Sequence, residues 1–208
     1  MVPVRYIMVT RIIYFIQFMV RLFIVIERCF GRWLLKLKYK LEKRLAYLYS
    51  GELVSLVLFV ILSYAANYLY PTLRLYSLYS FWISFIFLEL LLLQGTSYWY
   101  IKLKRLRKEN ISITPIKIVR QLYRLKTLNI ILIFISLIAF IFDFIKWYPS
   151  FPLGGLQISF FIYIFALLEY INYFYIQLSY DNISDIKYLL KSKKLKQSCM
   201  NKDFKRTL

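Results

Sequence analysis

Four stretches of this chain, Leu53 to Tyr70, Leu78 to Leu93, Leu128 to Trp147 and Leu156 to Leu178, are nearly free of charge and close to the length that crosses a bilayer. A hydrocarbon core about 30 Å thick takes roughly 20 helical residues, and no water is available inside it to bond an exposed amide. Each stretch must therefore satisfy its own backbone as an α-helix. The expected fold is all-α: a polytopic membrane protein with four transmembrane helices as two hairpins, plus an N-terminal amphipathic interfacial helix. Pro71 stands in the first connection and Pro149, Pro152, Gly154 and Gly155 in the third, where helix breakers belong. Hydrophobic residues make up 61% of the 208, more than one water-facing domain of this size has the interior to hide.

Charge orients these spans. Lys and Arg number 29 against 10 Asp and Glu. Ten of the cations precede Gly51, nine lie between Lys102 and Lys126, and eight between Lys187 and Arg206, whereas the two hairpin turns hold only Arg74 and Lys146. By the positive-inside bias both termini and the middle loop are expected in the cytoplasm. The chain then divides into a basic interfacial region (1–50), a first hairpin (51–95), a basic loop with a short helix (96–127), a second hairpin (128–178) and a basic tail (179–208).

The apolar window of the first region, Ile12 to Val20, is bounded by Arg11 and Arg21, about 15 Å apart along a helix, too short to cross. No small-residue cleavage site follows, which argues against a signal peptide. On a helical wheel Gln17, Arg21, Arg28, Arg32, Lys36 and Lys43 form one stripe, and Ile12, Met19, Phe23, Ile26, Trp33 and Leu37 face largely away from it. This pattern suits a helix lying on the cytoplasmic leaflet, the alternative being a solvated basic helix packed on its own bundle. In the middle loop Thr114 is expected to cap a helix opened by Pro115, with Lys117, Arg120 and Arg124 opposite Ile116, Val119 and Tyr123. In the tail Asn182 and Asp185 resemble a capping pair for a short helix through Leu190, and the last dozen residues read as disordered.

Much chemistry is excluded. The chain has no His, which removes the commonest metal ligand and the base of most hydrolytic triads. Cys29 and Cys199 are far apart and are expected to be free thiols. No glycine-rich phosphate cradle occurs. These absences point to a non-enzymatic protein without metal or cofactor. Aromatics beside basic residues at Tyr98, Trp99 and Tyr100 mimic a stacking platform for nucleic acid, but they fall where a membrane interface is expected, so no nucleic-acid partner is expected.

The segment Leu92 to Leu103 aligns with Leu167 to Leu178, and Asn110-Ile111-Ser112 recurs as Asn182-Ile183-Ser184. Both segments run in the same direction, which suggests a parallel duplication; aromatic belts formed independently at the interface are the competing origin. The two segments bracket the polar residues that most need explaining. Glu89 and Glu169 lie about 16 and 20 Å down their spans, at similar depth, where a carboxylate costs at least a few kcal/mol. They are placed to meet, with Asn172 one turn from Glu169 and Asn67 marking a packing face on the first span. Asp143 is expected to pair with Lys146. One reading makes Glu89, Glu169, Asn172 and Asn67 an intramembrane proton or cation site. The other makes the glutamates packing devices, protonated or paired with Arg11 or Arg21.

The run Leu168-Glu169-Tyr170-Ile171-Asn172-Tyr173-Phe174-Tyr175-Ile176-Gln177-Leu178, followed by Asp181-Asn182 and Asp185 to Lys191, resembles the C-terminal part of small uncharacterised integral membrane proteins of low-GC Gram-positive bacteria. The resemblance covers about the last fifth of the chain and implies a bacterial plasma membrane without implying a mechanism. Two functions follow as expectations. In the first, the basic face binds anionic phospholipid or a membrane protein partner through Arg21, Arg28, Arg32, Lys36, Arg105, Arg107, Lys117, Arg120 and Arg124, in stress tolerance or bacteriocin immunity. In the second, a homo-oligomeric proton-coupled transporter or channel moves small cations by way of Glu89 and Glu169.

Overall fold

The computed structural model describes residues 38–178 and 195–207. The chain divides into two compact units, Met1–Arg44 and Leu45–Leu208, and of the first only residues 38–44 are described. Four helices are long and apolar enough to cross a membrane: α1 (Lys38–Leu69), α2 (Tyr79–Glu109), α3 (Ile116–Lys146) and α4 (Leu153–Phe174). The chain is an all-α, multi-pass membrane protein. A fifth, short helix, α5 (Cys199–Thr207), follows near the C-terminus. Among the described residues the only β pairing is an isolated antiparallel bridge between Ile176 and Gln197.

The core forms around α2, whose most apolar stretch is 61% buried against 6% for that of α1. Ser80, Ser84, Phe87, Leu91, Gln94 and Tyr98, all buried, recur at alternating steps of four and three, and buried Leu122, Asn129, Ser136, Ala139 and Asp143, at steps of seven, seven, three and four, keep the same heptad phase in the seam of α3. Two sets of hydrogen bonds fix the antiparallel register of these seams. Asp143 meets Ser80 at one end, and Gln94 and Asn129 exchange amide bonds of 3.1 and 3.0 Å two heptads away. That register sets Ser84 opposite Ala139 and Phe87 opposite Ser136. Small residues thus let the backbones approach in the half nearer Asp143, where lipid supplies no hydrophobic drive between helices.

On another face α2 packs in parallel against α4. Gly155 sits against Leu73 and Leu78, and a Cβ there would overlap the Leu73 carbonyl oxygen. At the far end Gly95 lies against Tyr173, where a Cβ would stand 2.6 Å from the phenol oxygen. Helices α3 and α4 follow one another in sequence and meet through rings, Phe140 with Phe160 and Tyr163, while Phe144 packs on Phe151 in the connection between them. Helix α1 joins through Phe59 on Phe165 and through a cluster of Leu45, Leu103 and Leu106. Leu56 and Ala66 pack partly against the core, and much of its remaining apolar surface, including Val54, Leu58, Ile61 and Leu62, is exposed, as a lipid-facing helix requires.

Several local expectations are corrected. Helix α1 runs unbroken through Gly51, where a Cβ would meet nothing within 4 Å, so that glycine marks no boundary. The middle connection shortens to 110–115, because α2 continues to Glu109 and ends at Asn110 in the left-handed region (φ 56°), which asparagine tolerates. The Lys117 to Arg124 face belongs to α3 itself. Pro115 occupies the cap position of α3 and Thr114 turns away to another partner. Helix α4 stops at Phe174, short of Leu178. Asp143 does not pair with Lys146: it caps α2, while Lys146 reaches the Ser77 carbonyl (3.3 Å) and the Tyr79 ring (4.6 Å). The final residues are helical, since Met200 and Phe204, one turn apart, are buried against the bundle. The expected amphipathic stripe before Lys38 and the tail helix from Asn182 to Leu190 lie outside the described residues.

Candidate functional site

The end of the bundle where α2 leaves and α3 enters carries a dense positive surface. Lys104, Arg107 and Lys108 on α2 and Lys117, Arg120 and Arg124 on α3 are exposed there. Arg105 differs from its neighbours: its guanidinium forks onto Glu109 at 2.8 and 2.6 Å and donates to the Ile113 carbonyl at 2.6 Å, which ties the connection down. Such an i,i+4 pair fixes local shape more than stability. Arg21, Arg28, Arg32 and Lys36 lie outside the described residues. At the opposite end Arg74 lies 5.3 Å from the Trp147 ring, and Lys146 also stacks on it at 5.6 Å.

Helix α5 docks at the basic end. Phe204 stacks on Phe174 at 6.0 Å and meets the Tyr123 ring edge-on at 5.7 Å. Between these anchors Asp203 is buried, and its Oδ2 accepts from Tyr98 Oη (2.8 Å), Thr114 Oγ1 (2.7 Å) and Lys102 Nζ (3.0 Å). Burial alone would raise the Asp203 pKa, but the Thr114 hydroxyl, the Lys102 charge and the Tyr98 hydroxyl outweigh it and hold the carboxyl below its ordinary value. Ser198 closes the approach to α5, donating through Oγ to the Tyr173 carbonyl at 2.6 Å. Cys199 is a free, exposed thiol; Cys29 lies outside the described residues.

A second polar cluster lies where α1, α2 and α4 meet. Tyr173 Oη donates to Glu52 Oε2 directly over Gly95, and the Trp99 indole N–H approaches the same carboxyl without reaching bonding geometry. Glu169 lies one turn before Tyr173, near enough to Glu52 for the two carboxyls to act on each other. Asn172 Nδ2 donates to Glu169 Oε2 (3.2 Å), and its Oδ1 accepts from the Leu178 N–H (2.9 Å), stopping the chain after α4. The carboxyl beside Glu169 is thus Glu52, a residue that span periodicity and depth do not single out. Glu89 stands apart on α2, half-buried, with its Oε1 enclosed and without a hydrogen bond. Asn67 is at the other end of the bundle, where its Oδ1 accepts a long bond (3.4 Å) from the Tyr76 N–H. The four intramembrane polar residues singled out in the sequence therefore occupy three separate places.

Among the described residues no group of three or more Cys, Asp or Glu side chains is arranged to hold a metal ion. No protein-family model matches the chain, and no curated protein or solved structure matches it either.

Proposed function

We propose that this chain is a non-enzymatic integral membrane protein whose basic end engages anionic phospholipid headgroups, with both termini and the α2–α3 connection on the cytoplasmic side of a bacterial plasma membrane. One observation carries the reading: Lys104, Arg107, Lys108, Lys117, Arg120 and Arg124 are exposed together on a single end. Each cation near an anionic leaflet contributes about 1 kcal/mol. Stress tolerance and bacteriocin immunity are settings that such a protein suits, with a protein partner or a second copy recruited to the same face. Reconstitution in mixed phosphatidylcholine and phosphatidylglycerol, followed by native mass spectrometry, tests the reading. The wild type is expected to retain phosphatidylglycerol preferentially, and Lys117→Gln/Arg120→Gln/Arg124→Gln to lose most of that preference. Equal retention of both lipids by the wild type contradicts it, and a stoichiometric foreign subunit makes a protein the primary partner.

One observation favours a second reading, proton-coupled movement of a small cation: the enclosed, unbonded Oε1 of Glu89, since an ionisable group left so in a membrane is characteristic of transport paths. Proton release from proteoliposomes on adding a lipophilic cation, abolished by Glu89→Gln and reduced by Glu169→Gln, supports transport. Its absence removes that reading.

A further inference from the structure

The three groups that hold Asp203 belong to other parts of the fold. Tyr98 and Lys102 are one turn apart on α2, and Thr114 lies in the connection to α3. Tyr98 is 1% and Thr114 2% exposed, and the Lys102 side chain 11%. All three donors converge on one oxygen, and Lys102 Nζ also donates to Tyr98 Oη at 2.5 Å, so the hydroxyl is aligned to pass its own proton toward the anion. Two hydroxyls and an ammonium around a single point form a receptor for an anionic oxygen, whatever atom carries it. Without such an anion Lys102 would be a buried cation facing two dipoles, a costly arrangement.

The occupant comes on a weak element. Helix α5 has nine residues, too few to be stable alone in water. It is held to the bundle by Met200 and Phe204, by the Asp203 contacts and by the Asn201 Nδ2 bond to the Tyr175 carbonyl (3.1 Å), and the Arg206 guanidinium 3.8 Å from Asp203 Oδ1 is a pair within the helix itself. Its outer face presents Lys202, Lys205 and Arg206. The receptor lies at the end of the apolar run of α2, beside Trp99, where an interfacial ring and a headgroup occupy the same depth.

We propose that Tyr98, Lys102 and Thr114 form a phosphate site for an anionic phospholipid, and that α5 keeps the site closed by inserting the Asp203 carboxylate as a tethered substitute. The proposal rests on the lipid-facing reading of the basic end and adds its regulation. A tethered carboxylate competes at an effective concentration in the millimolar range, and headgroups of the surrounding leaflet compete from the same plane. As the phosphodiester enters, the Asp203 carboxylate leaves and α5 lifts, its three cations remaining near the anionic surface.

The test uses the full chain in nanodiscs. Amide exchange across 199–207 is followed in phosphatidylcholine, in phosphatidylcholine with phosphatidylglycerol, and in phosphatidylcholine with inorganic phosphate, and bound lipid is counted by native mass spectrometry. Phosphatidylglycerol is expected to raise exchange in α5 several-fold while α2 stays protected. Asp203→Asn, and independently Phe204→Ala, which leaves all three donors in place, are each expected to retain one further phosphatidylglycerol, a gain that Lys102→Gln in the same background removes. Unchanged α5 exchange with phosphatidylglycerol, or no added lipid in either opened variant, overturns the proposal and leaves Asp203 a clamp. Release of α5 by inorganic phosphate, with phosphatidylglycerol adding nothing, overturns the lipid assignment. The lipid-facing reading fails separately, when substitution at Lys117, Arg120 and Arg124 leaves overall phosphatidylglycerol retention unchanged.

Discussion

The carboxylate of Asp143, in the last turns of α3, accepts the backbone N–H of Ser80 at 2.7 Å and so closes the N-terminus of the neighbouring helix α2. Its other oxygen takes the N–H of Tyr79 at 3.0 Å. Residue Leu78, at the cap position of α2, has no side chain able to do this, and the positive end of the helix dipole adds to the attraction. Asp143→Ala leaves two donors of α2 without a partner, that of Ser80 fully buried and that of Tyr79 partly so, and is expected to cost about 2–3 kcal/mol. Asp143→Asn keeps one acceptor and is expected to cost about 1 kcal/mol. Thermal unfolding in detergent measures both, and an unaltered melting point for Asp143→Ala would show that the cap is incidental.

Gly95 is a position of close approach. A Cβ there would lie 2.6 Å from Tyr173 Oη, 2.8 Å from Tyr173 Cζ and 3.1 Å from the Glu52 carboxyl carbon. Gly95→Ala must push α4 or α1 outward, at about 1–3 kcal/mol, despite alanine being the better helix former. Adding Tyr173→Phe removes the nearest atom but not the ring, so it should restore part of the loss. Full stability of Gly95→Ala in the same unfolding assay would mean that these helices are held more loosely than the contacts require.

The Gln94–Asn129 pair is suited to a double-mutant cycle. Each amide is buried and bonds the other across the α2–α3 seam. Substituting one by Leu leaves the other facing hydrocarbon, whereas both changed together leave no unpaired group. The coupling energy is expected near 1 kcal/mol, the scale of interhelical hydrogen bonds in membranes. Additive single effects would remove the pair as the device that sets register.

The spans were legible in the sequence because each is a local property: an uncharged run long enough to cross, bounded by cations or prolines. Contacts between spans were not. Asp143 and Lys146 are three residues apart, which favours a pair on helical spacing, but the N-terminal N–H groups of α2, which have no partner within their own helix, lie 63 and 64 positions earlier in the chain and outcompete a solvated ammonium. Depth likewise failed to determine which carboxyls meet. Glu89 falls midway between Phe87 and Leu91, off the α3 seam, whereas Glu169 shares a face with Tyr173, and that face meets Glu52. Glu52 itself was hidden by its place between a basic segment and an apolar span. Helix α5 was hidden because only Met200 and Phe204 interrupt a run of polar residues, and two apolar side chains one turn apart amount to a signal only when a complementary surface waits for them.

The pH dependence of α5 docking follows from the groups around Asp203: Tyr98 and Lys102 from α2, Thr114 from the connection, and Arg206 on α5 itself, with Cys199 facing the Tyr98 hydroxyl. The docked carboxyl titrates below its ordinary value because the hydroxyls and the ammonium favour the charged form more than burial opposes it. A depressed value in the docked state means that the stabilisation is complete above the ordinary aspartate pKa, about 3.9, and is lost only as the pH falls through the docked value. Protection of the α5 amides, corrected for the intrinsic pH dependence of exchange, is therefore expected to be flat from neutral pH down to about 4 and to collapse in stronger acid. Asp203→Asn should abolish that acid transition and lower the protection at neutral pH. A release on raising the pH, centred between about 5 and 7, would instead mean that desolvation dominates at Asp203, and that the carboxyl enters the site as its acid rather than as the anion the three donors are arranged to hold.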